Sequence, residues 1–243
     1  MSSIPRPAGG KLGLVTGTVS LNGMTADEDW QVDRLREDGD PNHDSDIQRA
    51  VDKANKAREQ GADVVAIAMH SVQEYLDYAD SWQISEAHEL ADTGAFDVIY
   101  GAGCHCAQPI ENYNGTWIIY GLGNAVTESA NTPETLVNNQ GVTARIQFAG
   151  KKGVKGSWRV NRIDWVPTAN VHQGNYQWCP ISSDHPIGTC WTKPTTLRYA
   201  NASGMSSIRW ARTRTSSRNG TSRRSRRQSN SCSAWSQGGE AAR

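Results

Sequence analysis

Three apolar runs of strand length stand out in the hydrophobic pattern between residues 61 and 124. They are Asp63–Met69, Phe96–Tyr100 and Trp117–Tyr120, and apolar, often β-branched residues occupy consecutive positions in each. Runs that are apolar on both faces are typical of strands buried within a sheet. Lys11–Leu21 is also rich in β-branched and apolar residues, and the Asn-Gly turn signal that follows it supports the prediction of a further strand.

Two segments between these strands show helical periodicity. In the first, Asp46–Gln60, the apolar residues form one stripe, at Ile47, Ala50, Val51, Ala54 and Ala57. Asp44 or Ser45 is placed to cap the start of this helix, and Gly61 is placed to end it. Trp82–Ala91 carries a second apolar face. Strands that alternate with helices predict an α/β fold.

The remaining segments predict less regular structure. Thr25–Asp40 is acidic, and we interpret it as a surface loop with Trp30 as its one large anchor. Val142–Phe148 and Trp158–Trp165 alternate apolar and polar residues, which predicts an antiparallel hairpin that closes one edge of the sheet. His172–Pro194 has no periodicity, so a loop-rich segment is expected there.

Charge divides the chain into an acidic body and a basic end. The whole chain is formally neutral, yet residues 203–243 contain nine Arg against one Glu. This Arg/Ser-rich tail has almost nothing apolar to bury, so we predict that it is disordered. Such a tail would bind polyanions weakly and in a salt-dependent way. The alternative is that a reading-frame shift or an uncertain gene end produced it.

The five cysteines do not define a disulfide framework, because their number is odd and their spacing irregular. Cys179 and Cys190 would close a small loop in an oxidising compartment, and unpaired thiols are the alternative. No window reaches the roughly 18–20 apolar residues of a membrane span. Residues 1–10 lack the apolar core of a signal peptide. Localisation is therefore left open by the sequence.

Two histidines follow predicted strands, and the loops after the strands are where α/β folds place their catalytic and binding residues. His70 comes directly after the first run, and His105 lies in the loop after the second, between Cys104 and Cys106. The Cys-His-Cys loop is either a zinc-binding element or, as we prefer, small residues packed under the sheet. Cys104 as a nucleophile with His70 as its base would lack an orienting third group. His43 precedes the first helix, and we interpret it as part of the helix entrance rather than as catalytic.

Three motifs, at residues 70–75, 99–111 and 117–124, resemble a known family. His-Ser-Val-Gln-Glu-Tyr resembles H-W-G-x-E-Y of the CapA family of capsule and poly-γ-glutamate synthesis proteins. Ile-Tyr-Gly-Ala-Gly-Cys-His-Cys-Ala-Gln-Pro-Ile-Glu resembles its V-I-G-H-H-P-H-x-x-Q-P-I-E, and Trp-Ile-Ile-Tyr-Gly-Leu-Gly-Asn its I-x-Y-S-L-G-N-F. The resemblance runs from about residue 13 to 168. It implies a calcineurin-like metallophosphatase sandwich, α/β/β/α in its layers, with metal ions at the strand ends.

The resemblance also assigns roles to residues. It makes His70 and His105 metal ligands, for a divalent ion such as Mn, Fe or Zn. It places further residues around the cleft or behind the ligands: Glu74, Cys104, Gln108, Glu111 and Asn124. Ala102 and Gly103 stand where the family has a further histidine, and the Gly-Asp motif of the family's N-terminal half does not precede Lys11. We therefore expect an incomplete metallophosphatase fold that lacks the N-terminal half.

The expected organisation is a disordered lead at 1–10, the C-terminal part of a CapA-like domain at 11–200, and the disordered tail at 201–243. The expected function is a part in capsule or poly-γ-glutamate synthesis with weak or no phosphoesterase-like catalysis. The alternatives are a non-catalytic binding protein and polyanion binding through the tail. The resemblance implies a polyglutamate or phosphoester ligand, capsule-synthesis membrane proteins as partners, and a place in the cell envelope.

Overall fold

The structure is a computed structural model that describes residues 10–70, 73–127, 138–151, 153–154, 156–173 and 175–181, the side chains of 171–177 excepted. The predicted lead, apart from residue 10, and the whole predicted tail lie outside the described residues. The body that we predict at 11–200 is described as far as residue 181.

The main sheet has five strands in the order β1-β2-β3-β5-β4. Their bounds are β1 Leu12–Thr18, β2 Val64–His70, β3 Val98–Ala102, β4 Ile110–Tyr113 and β5 Thr116–Ile119. All neighbouring pairs are parallel except β4 and β5, which form an antiparallel hairpin around Asn114 and Gly115. The predicted strands are therefore present, and β2 is buried along most of its length, as its continuous apolar run predicts.

Two helices connect the parallel strands and pack on one face of this sheet. They are α1, His43–Glu59, and α2, Ser81–Asp92. Parallel strands joined by right-handed crossovers place successive helices on the same side when the strand order is sequential. The shared core includes Ala54 of α1, Leu90 of α2 and Ile67 of β2.

The start of α1 differs from the prediction. The helix begins three residues earlier, at His43, and the flanking residue is Asn42 rather than Asp44 or Ser45. His43 is 5% exposed, so the first turn is already packed into the protein. In α2 the cap is a carboxylate, since Asp80 accepts a hydrogen bond of 2.8 Å from the backbone N–H of Gln83.

A second, antiparallel sheet follows the first. It consists of β6 Gln140–Ala149, β7 Arg159–Gln173 and β8 Asn175–Pro180. The predicted hairpin is confirmed, but the prediction that it closes an edge of the main sheet is wrong, because the edges there are β1 and β4. The two sheets meet where Val142 N donates to Leu122 O at 2.7 Å.

Two further predictions about irregular segments are wrong. β8 occupies a segment that was expected to be loop. It finds a partner because β7 continues past Pro167, and the carbonyl of Pro167 accepts a hydrogen bond of 2.8 Å from Ile181 N. Trp30 does not anchor the acidic loop, since it is 80% exposed. Leu35 anchors it instead: it is 1% exposed and lies against Gly17, where an added Cβ would come within 2.5 Å of its side chain.

These elements confirm the α/β fold class, with a mainly parallel sheet of the kind found in part of a metallophosphatase-like fold. The helix-free face is buried at Ala66, Val98 and Ile119 but exposed on the edge strand, where Leu12 and Leu14 are more than half exposed. Among the described residues, no helix is long and apolar enough to cross a membrane.

Candidate strand-end site

The carboxyl ends of β1, β2 and β3 meet at one edge of the main sheet. Thr18 lies opposite His70, and His70 lies opposite Ala102, in the two parallel registers. A cavity of about 360 Å³ opens at this edge; its lining includes Thr16, Thr18, Asp33, Met69, His70 and Ala102. This is where ligands bind in open parallel sheets. The structure thus places the first predicted histidine in the wall of a cavity.

Hydrogen bonding determines which nitrogen of His70 carries the proton. The hydroxyl of Thr18 donates to the carbonyl of Ser20 at 2.8 Å. Because that hydroxyl has a single proton, its oxygen accepts from His70 Nδ1, which lies 3.1 Å away. Nδ1 is therefore the protonated nitrogen in the neutral ring, and the lone pair of Nε2 is left for a ligand.

His105 is oriented in the same way. Asn124 Nδ2 donates to Asn138 O at 3.1 Å, which turns Asn124 Oδ1 toward His105 Nδ1 at 2.9 Å. Since an amide oxygen only accepts, Nδ1 carries the proton and Nε2 has the lone pair. The structure therefore gives predicted residue Asn124 a positioning contact. Glu74 Oε1 lies 3.6 Å from His105 Nε2, so a second predicted residue faces the same ring.

The backbone at His105 has φ = +60°, a left-handed conformation that non-glycine residues seldom adopt. Tyr75 also has a positive φ, 66°, and its ring stacks on the His105 ring with 5.5 Å between centroids. The backbone N–H of Tyr75 donates to Cys104 O at 2.8 Å. The loop after β2 is thus docked against the loop after β3, and both hold unusual backbone conformations at the site.

Gln108 connects these loops to the core. Its Nε2 donates to Tyr78 O at 2.7 Å and to Leu76 O at 3.2 Å, and its Oε1 accepts from Gln83 Nε2 at 2.9 Å. Gln83 also donates to Tyr120 O at 2.8 Å. Both glutamines are 1% exposed. Gln108 therefore fixes the position of the loops beside the site, and its role around a cleft stays a prediction.

Cys104 and Cys106 are buried free thiols. Cys104 Sγ donates to the carbonyl of Cys106 at 3.1 Å. Burial raises the pKa of Cys106 to about 11, with further contributions from Cys104 and Asp77, and burial also raises the pKa of Cys104. Thiols held neutral in this way are poor nucleophiles and poor metal ligands, so the arrangement favours packing under the sheet. Cys179, by contrast, is disulfide-bonded.

The structure does not bring Glu111 to the strand-end histidines. Glu111 lies on β4 opposite Ile118, whose side chain packs into the core with the helices. Its Oε2 accepts from Tyr120 OH at 2.6 Å and lies 3.0 Å from His88 Nε2 on α2. His88 stacks on Tyr113 with 3.6 Å between ring centroids. Glu111 therefore belongs to a separate cluster on the helix side of the sheet.

A third cluster, which the sequence analysis missed, joins α1 to α2. His43 Nε2 lies 2.9 Å from Glu89 Oε2, and His43 Nδ1 lies 3.8 Å from Glu86 Oε2. Burial raises the pKa of Glu86 to about 7. Burial of His43 acts against its charged form, but hydrogen bonds to Arg36 O and Glu89 and the charge of Glu86 outweigh it and raise the pKa to about 9. One ligand atom from each side chain falls within 4.8 Å of the others, so this group can hold a metal ion.

A two-ion metallophosphatase centre needs several hard oxygen ligands beside its imidazoles. Within the described part of the chain, the His, Cys, Asp and Glu side chains that gather three ligand atoms within 4.8 Å are His43, Glu86 and Glu89. His70, His105 and Glu74 form no such group. The donor set at the strand ends therefore does not fit a two-ion centre by itself, although each imidazole is oriented as a ligand would be.

Fold and site together define a class: an α/β protein with a mainly parallel sheet and two oriented imidazoles at its strand ends. The family model described as "Bacterial capsule synthesis protein PGA_cap" matches residues 5–129, about half of the chain. The chain belongs to this bacterial capsule synthesis family, which confirms the resemblance found in its motifs. It is also 37% identical over 103 residues to the "PGA biosynthesis protein CapA" of Bacillus subtilis (strain 168). That match covers 42% of this chain and 25% of the relative.

Proposed function

We propose that this chain acts in bacterial capsule synthesis by binding an anionic ligand between His70 and His105, with little or no hydrolytic activity of its own. The observation that carries the proposal is the pair of imidazoles whose Nδ1 atoms are engaged by Thr18 and Asn124. Both leave Nε2 for a ligand at the carboxyl-end edge of the main sheet, and His70 lines the 360 Å³ cavity there. The weak-catalysis part rests on the described residues, among which His70 and His105 join no group of three ligand atoms of the kind that a two-ion centre needs.

The ligand chemistry follows from the imidazoles and from the family. An anionic ligand would bind the imidazolium form of these rings, in which Nε2 carries a second proton and donates to a carboxylate or phosphoryl oxygen in a charge-assisted hydrogen bond. A γ-linked glutamate polymer presents carboxylates and a phosphoester presents phosphoryl oxygens, so both classes suit the site. Because the relative is named a PGA biosynthesis protein, we favour γ-linked polyglutamate as the ligand. Capsule-synthesis membrane proteins as partners and a place in the cell envelope are further parts of this proposal.

The test is titration of the full chain with a γ-linked glutamate oligomer, alongside His70→Ala, His105→Ala and the control His88→Ala. His88 is also half-buried and hydrogen-bonded to a glutamate, but it lies on the helix side of the sheet. We expect each strand-end variant to bind about 10- to 100-fold more weakly, since one charged hydrogen bond contributes about 1.5–3 kcal/mol. His88→Ala is expected to bind like the wild type.

Hydrolysis is measured on the same proteins with a phosphodiester such as bis(p-nitrophenyl) phosphate in the presence of Mn²⁺. We expect rates at the level of the buffer. Turnover that both histidine substitutions abolish would contradict the weak-catalysis part of the proposal. Oligomer binding that neither substitution changes would contradict the binding part, and the site would then have to be sought elsewhere on the chain.

A further inference from the structure

The cluster formed by His43, Glu86 and Glu89, called here the helix-face cluster, takes no part in the proposed strand-end function. Its two glutamates are three residues apart on α2, and its histidine opens α1. His43 is 5% exposed and Glu86 is 2% exposed, while the Glu89 side chain is 44% exposed. The cluster is therefore a buried pair of ligands with a third that opens to solvent.

The geometry of the His43 ring requires a positive group beside Nε2. Nδ1 lies 2.6 Å from the carbonyl oxygen of Arg36, which only accepts, so Nδ1 carries a proton. Nε2 lies 2.9 Å from Glu89 Oε2. In a neutral ring the lone pair of Nε2 would face the lone pairs of a carboxylate, which is repulsive. Either a second proton or a metal cation relieves this repulsion.

Ring orientation matches that of metal-bound histidines. Such rings almost always donate their other N–H to a backbone carbonyl, a carboxylate or water, which fixes the ring and makes the binding nitrogen more basic. Arg36 O is in that position here. The Arg36 side chain is engaged elsewhere, because its guanidinium binds Asp46 at 3.0 Å. The backbone of Arg36 therefore holds the His43 ring, while its side chain does not neutralise the two glutamates.

An unpartnered oxygen is the second observation that points to a ligand. Glu86 Oε1 is buried and makes no hydrogen bond within the described protein. A buried carboxylate oxygen without a partner is costly. When both are ionised, Glu86 and Glu89 carry two negative charges against one on the imidazolium of His43. A divalent cation bound by a neutral His43 and both carboxylates balances these charges and gives Glu86 a partner.

We propose that His43, Glu86 and Glu89 bind a first-row divalent cation, with Zn²⁺ as the preferred ion. Zn²⁺ takes imidazole nitrogen together with carboxylate oxygen, and the exposed side of Glu89 gives the ion a path from solvent. Bound there, the ion joins the first turn of α1 to α2 across the helical layer. It is separate from the strand-end histidines, so this inference stands or falls independently of the proposed function.

The experiment is calorimetric titration of the metal-free full chain with ZnCl₂ at pH 7.5, together with thermal unfolding with and without the ion. The test variants are Glu86→Gln and Glu89→Gln, which keep the side-chain shape and remove the charge. The control is Glu111→Gln, because Glu111 also lies against a histidine, His88, at 3.0 Å. The double variant His70→Ala/His105→Ala separates the two sites.

We expect saturable binding of Zn²⁺ that raises the unfolding temperature of the wild type, the control and the double variant. Each test variant should bind at least about ten-fold more weakly, since loss of even an outer contact of a metal ligand has that effect. Glu89→Gln keeps the test valid if the buried Glu86→Gln variant does not fold, because the Glu89 side chain is 44% exposed. The proposal would be overturned if Zn²⁺ did not stabilise the wild type, or if binding were lost in the double variant and kept in both test variants. In either case a second proton on His43, and not a metal ion, would relieve the repulsion at Nε2.

Discussion

The hydrogen bonds of Gln108 provide the most direct test of how the strand-end loops are held. Its side chain makes three: two to the carbonyls of Leu76 and Tyr78, and one from Gln83. The substitution Gln108→Leu keeps a similar volume and removes all three. It leaves two carbonyls and one amide N–H without their partners, in a region where Gln108 itself is 1% exposed.

The expected loss can be estimated from these contacts. A hydrogen bond within a protein contributes about 0.5–1.5 kcal/mol net, and partners left unsatisfied on burial add to the cost. We count the loss of the three hydrogen bonds of Gln108. We add no full penalty for a buried group without a partner, because Gln83 keeps its bond to Tyr120 O. The free energy of unfolding should fall by about 2–4 kcal/mol. For a chain of this size that is a decrease in melting temperature of about 4–16 °C.

Chemical and thermal unfolding of Gln108→Leu measure this loss, with Gln147→Leu as the control at an exposed glutamine on β6. Hydrogen exchange gives the local readout, because the amide of Tyr75 donates to Cys104 O across the two loops. That amide should exchange faster in the variant than in the wild type under conditions where both are folded. A stability change below about 1 kcal/mol, or unchanged exchange at Tyr75, would refute the account of the loop contacts.

Three other predictions follow from the structure. Cys104 and Cys106 should resist iodoacetamide at neutral pH, and alkylation of Cys106, followed by mass spectrometry, should rise with pH toward its pKa of about 11 because only the thiolate reacts; rapid labelling of the folded protein at pH 7 would contradict this. Gly101→Ala should lower the free energy of unfolding by about 3 kcal/mol or more, since its Cβ would lie 1.9 Å from Tyr120 O; Gly10→Ala, with its nearest contact at 3.3 Å, is the control, and equal stability of the two variants would refute the steric argument. Deleting residues 203–243 should weaken binding to heparin and flatten its salt dependence, because nine Arg are removed; a salt slope that the deletion leaves unchanged would exclude the tail as the binding element.

The positions of the strands and helices could be predicted because their apolar residues follow a period or a continuous run. β2 and the core stripe of α1 are examples, and both lie within a few residues of the predicted bounds. β8 could not be predicted, because its partner β7 extends past Pro167, a residue that often ends strands. The sequence could not show that Leu35 rather than the larger Trp30 anchors the acidic loop. The space beside Gly17 that Leu35 fills exists only in the folded chain.

The strand-end histidines were found from their place after apolar runs, while the helix-face cluster was missed. A signal for it was present. His43 lies one turn before Ile47 on the stripe that continues to Ala50 and Ala54, and all four are buried. A polar residue in register with a buried stripe predicts a buried polar contact. Its partner could not be predicted, because the sequence does not show that α1 and α2 pack side by side.

The three histidines of these two sites are held by the same kind of contact at Nδ1, but their Nε2 atoms face different surroundings. His70, His105 and His43 each have an oxygen acceptor near Nδ1, so each presents Nε2 outward from a fixed ring. At the strand ends the fixed ring of His70 lines the cavity, where we propose an anionic ligand. On the helix face the fixed ring stands against two carboxylates, which suits a cation. The two proposals are therefore separable by experiment: if a cation binds the helix-face cluster, its removal should loosen the contact between α1 and α2 and leave the imidazoles at the sheet edge in place.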